Sequence, residues 1–279
     1  MRGAKLLVIG IDGLRWDRVD RAVAPRLTAL SDSGVFAPSL LPREYGAETV
    51  SGPGWSTIAT GVWPAKHGVR DNEFEGKRYD RYPDFLTRIA REGLSTIAVL
   101  DWPPMAHEGM FSAELEQLVI GDGEALGYLV EDRRVTDEAV RLLRHGQPDA
   151  AFVYLGSVDM VGHGWGAMSA EYVDMISVVD GCVGQLLDAI EHRPSRGSEH
   201  WLIMVTTDHG HLDEGGHGGV SDDERRTFVL YGGDHVEPGI RDDARIVDVA
   251  ATALGHFGLS IPEELDGRPL TAGTPTIVS

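Results

Sequence analysis

Cysteine is almost absent from this chain of 279 residues, which contains one, Cys182. A single cysteine excludes an intramolecular disulfide and a metal cluster built on thiolates. Because Cys182 falls in a segment with a helical pattern, we interpret it as a small buried hydrophobe. A metal site in this chain would therefore have to use nitrogen and oxygen ligands.

The sequence also lacks a hydrophobic run long enough to span a bilayer. The N-terminal stretch MRGAKLLVIGIDG places two basic residues before an apolar run, as a signal peptide does. That run is short, ends at Asp12 and has no small-residue cleavage site. We therefore predict that it forms the first core strand, that the protein is cytoplasmic and that it does not bind membranes.

Basic residues are few, with 25 lysines and arginines against 44 acidic residues and a formal net charge of −19. Such a surface repels nucleic acid and anionic membranes. It also repels phosphate esters, unless bound cations reverse the sign of the charge locally. We therefore expect no binding of nucleic acid polymers, and part of the acidic charge is available for metal ligation.

No internal repeat, low-complexity tract or charged tail interrupts the chain. Apolar runs predict strands at 5–10, 95–100, 150–156, 201–207 and 227–231. Amphipathic or capped segments predict helices at 25–33, 53–60, 84–92, 124–145, 170–192 and 247–257. This alternation predicts an α/β fold whose mostly parallel central sheet carries helices on both faces. We expect a single domain over 1–279, in which a small cap or insertion can lie within about 70–123.

The stretch LIMVTTDHGHLDEGGHGG joins a predicted buried strand to a glycine-rich loop. Asp208 and His209 lie where the strand ends, and His217 follows in the loop. Open α/β sheets place their chemistry at the carboxyl ends of strands, and carboxylate and imidazole groups suit divalent metals. Asp12 ends the first predicted strand in the same way, where it can ligate a metal or cap the next helix.

Ser51 stands at the predicted start of the helix in ETVSGPGWSTIATGVWPAKHGV. Unpaired N–H groups and the helix dipole favour anions there, which suits a nucleophile that attacks phosphorus. The alternative is a plain serine N-cap with Pro53 in the first turn. Thr49 and Ser56 are competing hydroxyls, and the motif alone does not choose between these interpretations.

Asp159 and His163 are four residues apart in YLGSVDMVGHGWG, so they share a face if that segment is helical. Gly162 and Gly164 favour a compact loop instead. In either conformation the pair can chelate one metal, and the alternative is an Asp–His hydrogen bond near the surface.

These four segments each follow a predicted strand or open a helix, so they can meet at one edge of the sheet. Together they supply one hydroxyl, three carboxylates and three imidazoles, a donor set that suits zinc, with manganese or iron as alternatives. The combination indicates a two-metal site for phosphoryl transfer.

The ordered set of motifs resembles the alkaline phosphatase superfamily, and within it the type I phosphodiesterase/nucleotide pyrophosphatase family. The resemblance covers nearly the whole chain, from the strand with Asp12 to the closing VDVAATALGHFGLSIPEELDGRPL. It implies two divalent metal ions, with Zn²⁺ expected. One ion would be surrounded by Asp12, Ser51, Asp208 and His209, and the other held by Asp159, His163 and His217.

The resemblance also implies that Ser51 is the nucleophile, because it lies at the family's distance before the Thr60-Gly61 pair. His211 and Asp213 have no counterpart in the motif. We interpret them as supporting or loop residues, although His211 is the main rival of His217.

The resemblance has two departures. Gly54 has no side chain that could donate to a phosphoryl group, so another donor is needed, and Asn72 and Lys66 are candidates. Sulfatases of the superfamily carry an arginine where this chain has Trp55, which argues against sulfate ester chemistry. Six aromatic residues either line a leaving-group pocket or belong to the core, namely Trp55, Trp63, Phe74, Tyr79, Trp102 and Trp165.

The function implied is metal-dependent hydrolysis of phosphoric esters of small molecules through a phosphoseryl intermediate. One alternative is a phosphomonoesterase that acts on a small phosphorylated biosynthetic intermediate. The other is a non-catalytic metal-binding module on the same scaffold.

Overall fold

An eight-stranded sheet forms the centre of the molecule in the computed structural model, which describes residues 3–270. The strands are β1 (Ala4–Ile11), β2 (Val35–Leu40), β3 (Thr96–Leu100), β4 (Gln117–Ile120), β5 (Ala150–Leu155), β6 (His200–Thr206), β7 (Arg226–Gly233) and β8 (Gly239–Ile240). Their order across the sheet is β4-β3-β5-β1-β6-β7-β2-β8. Among the strands of residues 3–270, only β7 runs antiparallel to its neighbours, and all other pairings are parallel.

Helices cover both faces of this sheet. They are α1 (Pro25–Ser33), α2 (Ser51–Thr60), α3 (Pro64–His67), α4 (Phe85–Arg91), α5 (Pro104–His107), α6 (Gly123–Leu126), α7 (Tyr128–His145), α8 (Ser157–Trp165), α9 (Ala170–Glu191), α10 (Asp222–Arg225) and α11 (Asp248–His256). Helices α2, α4 and α11 pack on one face, and α1, α7 and α9 on the other. Within the described part of the chain, no helix is both long and apolar enough to cross a membrane.

The central strand β1 shows why the sheet is buried on both sides. All eight of its residues are buried. Because successive side chains of a strand point to opposite faces, Leu6 and Val8 join the core under α2, whereas Leu7 and Ile9 join the core under α7 and α9. The continuous apolar run that predicted a central strand is a consequence of these two cores.

The predicted fold class is confirmed. Three strands, β2, β4 and β8, were not predicted, and the helix expected at 124–145 is divided at Gly127 into α6 and α7. The compact loop predicted around Gly162 and Gly164 is wrong, because both residues lie inside α8. The residues of 70–123 contribute α4, β3, α5 and β4, so this region supplies two strands of the main sheet. The single-domain boundary stays a prediction.

Candidate active site

The carboxyl ends of three adjacent strands bring the motifs together. Asp12 follows β1, Asp159 lies in the first turn of α8 directly after β5, and Asp208 with His209 follows β6. Since β5 and β6 flank β1, these side chains converge at one edge of the sheet. Ser51 is the first residue of α2, and its hydroxyl joins the same group.

The first cluster is centred on the Nε2 atom of His209. This atom lies 3.3 Å from Ser51 Oγ, 3.3 Å from Asp12 Oδ1 and 3.3 Å from Asp208 Oδ2. The Nδ1–H of His209 donates to the Gly210 carbonyl at 3.0 Å, which leaves the Nε2 lone pair facing the three oxygens. A tetrahedral zinc site with bonds of about 2.0–2.1 Å separates its ligand atoms by about 3.3–3.4 Å. The spacing of this cluster therefore fits a zinc ion.

Two oxygen atoms in this cluster have no hydrogen-bond donor among the described residues. Asp12 Oδ1 and Asp208 Oδ2 are both buried without a partner. Burial, with the charge of Asp159, raises the pKa of Asp12 to about 6, and burial with the charge of Asp12 raises the pKa of Asp208 well above its usual range. Burial also lowers the pKa of His209, which favours the neutral imidazole. A carboxyl group with a raised pKa is favoured in its protonated form, and a divalent cation at this position would instead stabilise the ionised form.

A second cluster lies beside the first and opens to solvent. His163 Nε2 and His217 Nε2 are 2.9 Å apart, and Asp159 places its two oxygens 3.3 Å from His217 Nε2 and 3.4 Å from His163 Nε2. The His217 Nδ1–H donates to the Thr49 carbonyl at 2.7 Å, so its Nε2 lone pair faces inward. Burial alone would raise the pKa of Asp159, but hydrogen bonds from His163 and His211 help to lower it well below its usual range. An anionic oxygen and two imidazole nitrogens at this spacing also fit a divalent cation.

The seven side chains that the sequence selected thus lie in two adjoining clusters, although their roles remain predictions. His211, the rival of His217, lies with its Nε2 atom 2.8 Å from Asp159 Oδ1. Asp213 is turned away and accepts from Arg15 Nη1 at 2.6 Å.

The two hydroxyls that compete with Ser51 are engaged elsewhere. Thr49 Oγ1 donates to the Gly219 carbonyl and accepts from the Gly218 N–H, both at 2.9 Å. Ser56 Oγ lies 2.6 Å from the Gly52 carbonyl and 2.7 Å from the hydroxyl of Tyr79. Ser51 is therefore the hydroxyl that the fold directs at His209.

The N-terminus of α2 offers fewer N–H groups than the sequence suggested. The Gly52 N–H donates to Asn72 Oδ1 at 2.7 Å, the Gly54 N–H donates to the Val50 carbonyl, and proline at position 53 has none. The side chain of Asn72 is thereby held beside Ser51, with its amide Nδ2 as a further donor. Lys66, the other candidate, bonds to the Glu264 carbonyl and to Asp266, so it is engaged elsewhere.

Two donors to Asp12 were missed as site residues. The hydroxyl of Tyr154 lies 2.5 Å from Asp12 Oδ2, and the indole N–H of Trp55 donates to the same oxygen at 2.9 Å. The only sequence signal was that Tyr154 belongs to a predicted strand, and the pairing of that strand with β1 was not predictable.

Of the six aromatic residues proposed for a pocket, five are buried. The exception is Trp165, which is 62% exposed at the end of α8. The five buried residues belong to the core on the α2 side of the sheet, which is the second of the two alternatives, and Trp55 also reaches Asp12.

Comparisons with known proteins give a family and a shared fold. Residues 6–224 match the family model described as type I phosphodiesterase / nucleotide pyrophosphatase. An uncharacterized pyrophosphatase/phosphodiesterase of Schizosaccharomyces pombe is 26% identical over 224 residues, which cover 74% of this chain and 44% of that protein. A 2,3-bisphosphoglycerate-independent phosphoglycerate mutase of Rhodopirellula baltica is 30% identical over 142 residues, covering 49% of this chain and 25% of that protein. The chain thus spans less than half the length of these two curated relatives.

Solved structures share the fold at low sequence identity. A 2-O GAG sulfatase superimposes with a TM-score of 0.77 and 14% identity, covering 96% of this chain and 73% of that chain. Murine ectonucleotide pyrophosphatase / phosphodiesterase 5, an inactive form in complex with AMP, superimposes with a TM-score of 0.68 and 16% identity, covering 93% of this chain and 96% of that chain. These structures are similar to this chain in architecture.

Proposed function

From the type I phosphodiesterase / nucleotide pyrophosphatase family, to which this chain belongs, and from the two clusters at the sheet edge, we propose a metal-dependent hydrolase of phosphoric esters. The observation that carries the proposal is the 3.3 Å approach of Ser51 Oγ to His209 Nε2, beside buried carboxylate oxygens that have no donor among the described residues. A hydroxyl in that position is a nucleophile next to a cation site.

Two divalent ions would be held by this chain, with Zn²⁺ as the proposed metal and Mn²⁺ or iron as alternatives. Asp12, Ser51, Asp208 and His209 would hold one, and Asp159, His163 and His217 the other. When bound, the two cations would lower the pKa of the serine hydroxyl and offset the charge of the phosphoryl oxygens. They would also reverse, at this point, the negative potential of a chain with a net charge of −19.

The residues of the chain would act in two steps. Ser51 Oγ attacks phosphorus, so that an Oγ–P bond forms while the bond to the leaving oxygen breaks, which yields a phosphoseryl intermediate. The serine proton passes to solvent, and the leaving oxygen takes up a proton from solvent. Water then cleaves the Oγ–P bond and restores the hydroxyl. Asn72, held through its Oδ1 by the Gly52 N–H, is placed to donate from Nδ2 to a phosphoryl oxygen.

Small phosphorylated molecules are the proposed substrates, and the family favours phosphodiesters or pyrophosphates. The second candidate is phosphomonoester chemistry, which the match to a phosphoglycerate mutase over 142 residues supports. A cytoplasmic location is part of the same proposal, supported by the single cysteine, which is buried and free.

The test compares turnover of bis(p-nitrophenyl) phosphate with that of p-nitrophenyl phosphate, together with the metal content of the protein. Ser51→Ala should keep its metals and its fold but lose at least about 1,000-fold in kcat, because the nucleophile is gone. The matched control is Ser56→Ala, which removes a hydroxyl from the same helix without touching the cluster, and should retain turnover within a few-fold.

Asp208→Ala and His163→Ala should each lose metal, because each removes a ligand. Turnover of Ser51→Ala at the wild-type rate, or unchanged metal content in the other two variants, would contradict the assignments. A preference for the monoester substrate would select the second candidate.

A further inference from the structure

His211 is a buried imidazole that the proposed reaction does not use. It is fully buried, and its Nε2 atom lies 2.8 Å from Asp159 Oδ1. Its Nδ1 atom has no hydrogen-bond partner among the described residues. In the tautomer that donates from Nε2–H to this carboxylate oxygen, Nδ1 carries a lone pair, so no N–H group is left without an acceptor. A nitrogen that carries this proton cannot also ligate a metal.

The fold makes room for His211 with two glycines from different segments. A Cβ atom at Gly162, inside α8, would lie 2.7 Å from His211 Nε2, and one at Gly13, after β1, would lie 2.6 Å from it. Such distances are too short for any side chain. Gly162 also weakens the helix in which it lies, because glycine costs roughly 0.5–1 kcal/mol relative to alanine in a helix interior. The glycine at 162 thus keeps open the space that His211 occupies.

We propose that His211 is a positioning residue for the second metal, an inference that rests on the proposed function. It holds Asp159 through Oδ1, so that the carboxylate meets His163 and His217 in one fixed orientation. Without the Nε2–H donor, Asp159 would lose the contact that sets its rotation. Loss of such a partner typically weakens metal binding by about 10–100-fold.

The experiment measures binding of Co²⁺ to the metal-free chain by competition with a chelator, and records the visible spectrum of the Co²⁺-loaded chain. His211→Leu should lower the affinity for one of the two bound ions by about 10–100-fold. His211→Gln, which can place an amide N–H near the position of Nε2, should restore the affinity to within a few-fold and leave the spectrum unchanged.

A matched pair of glycine variants on α8 tests the same point without altering His211. Gly162→Ala should lower the affinity for the same ion as His211→Leu does, because the added Cβ atom displaces the imidazole of His211. Gly164→Ala lies on the same helix with nothing within 4 Å of the new Cβ, and should bind both ions like the wild type. In the His211→Ala background, the added effect of Gly162→Ala should largely vanish, since the clash is removed.

The outcomes separate the possible roles of His211. The inference is contradicted if His211→Leu binds each of the two ions as tightly as the wild type does. It is also contradicted if the spectrum of His211→Gln shows the loss of a nitrogen ligand. A purely structural role would lower the melting temperature of every His211 variant, including Gln, without changing the affinity. A wild-type chain that binds no Co²⁺ would instead contradict the proposed function itself.

Discussion

Asp12 and Asp208 each have one carboxylate oxygen that accepts hydrogen bonds from the protein. Tyr154 and Trp55 donate to Asp12 Oδ2, and the Gly13 N–H donates to Asp208 Oδ1 at 3.3 Å. The opposite oxygens of these two aspartates are buried without a donor among residues 3–270. A donor on one oxygen prevents rotation of the carboxylate, so the other oxygen has a defined direction before a cation arrives.

Tyr154→Phe should weaken binding of the metal held by the Ser51 cluster by about 10-fold or more, because Asp12 loses its shorter hydrogen bond. Chelator competition with Zn²⁺ measures this affinity. Tyr79→Phe is the control, since it also removes a buried tyrosine hydroxyl, in this case one bonded to Ser56 outside the cluster. An equal loss of affinity in both variants would show that the effect is one of general packing.

Helix α2 shows how one element serves both the core and the site. Its N-cap, Val50, is extended at φ −136°, proline at position 53 lies in the first turn, and Gly61 follows its last residue at φ 72°. All ten residues of the helix are buried. Gly54 is needed because a Cβ there would lie 2.7 Å from Asp208 Cβ. Gly54, which offers no phosphoryl donor, is therefore a position where α2 packs closely against Asp208.

Gly54→Ala should lower the free energy of unfolding by about 1–3 kcal/mol, because it pushes α2 away from Asp208. Gly181→Ala in α9 meets nothing within 4 Å and should raise stability by roughly 0.5–1 kcal/mol, the usual gain in a helix interior. Urea denaturation measures both. If Gly54→Ala also raised stability, the close approach of α2 to Asp208 would be wrong.

Predictability from sequence also varied by element. Buried strands such as β1 and β6 have uninterrupted apolar runs, whereas the missed strands β2, β4 and β8 are largely half-exposed or exposed. Strands β4 and β8 form the two edges of the sheet and β2 lies next to β8, so all three lack the double-sided burial that produces a clear pattern. The helix α8 was predicted as a loop because glycines usually break helices, but Gly162 is required there by the packing of His211.

On the scale of the whole molecule, the two ends of the central strands differ in their polar groups. The carboxyl ends hold the candidate site, where carboxylate oxygens of Asp12 and Asp208 have no donor among the described residues. The opposite ends have a buried ion pair, in which Arg193 Nη2 lies 2.8 Å from Glu199 Oε1, and Trp201 Nε1 donates to Glu199 Oε2 at 2.8 Å. Burial opposes ionisation, but Arg193 and Trp201 outweigh it and lower the pKa of Glu199 to about 2.

Glu199→Gln should lower the free energy of unfolding at pH 7 by roughly 2–3 kcal/mol, because it leaves the Arg193 charge buried without its partner. The native pKa is below the unfolded value of 4.5, so the wild-type carboxylate contributes fully above about pH 4.5 and loses its contribution as the pH falls towards 2. The acid limb of the stability curve should therefore be flatter in the variant.

Urea denaturation of the metal-free chain between pH 2 and 7 tests this expectation. The control is Glu138→Gln, which breaks an exposed pair with Arg141 and should change stability by about 0.5 kcal/mol or less. Turnover well below the melting temperature should be unchanged in both variants, because neither touches the site. If Glu199→Gln lost turnover under conditions where it is fully folded, the claim that this ion pair affects stability but not the candidate site would be wrong.

The sequence by itself determined the fold class and selected seven candidate ligands that the structure brings together. Double-sided burial and chemically demanding ligands leave local patterns, such as the run ending at Asp12 and the Asp208-His209 pair. Only the tertiary structure decided which partners orient those side chains. Tyr154, Trp55 and His211 reach their carboxylates from segments far apart in the chain, and contacts set by strand pairing and helix packing leave no periodic signal in the sequence.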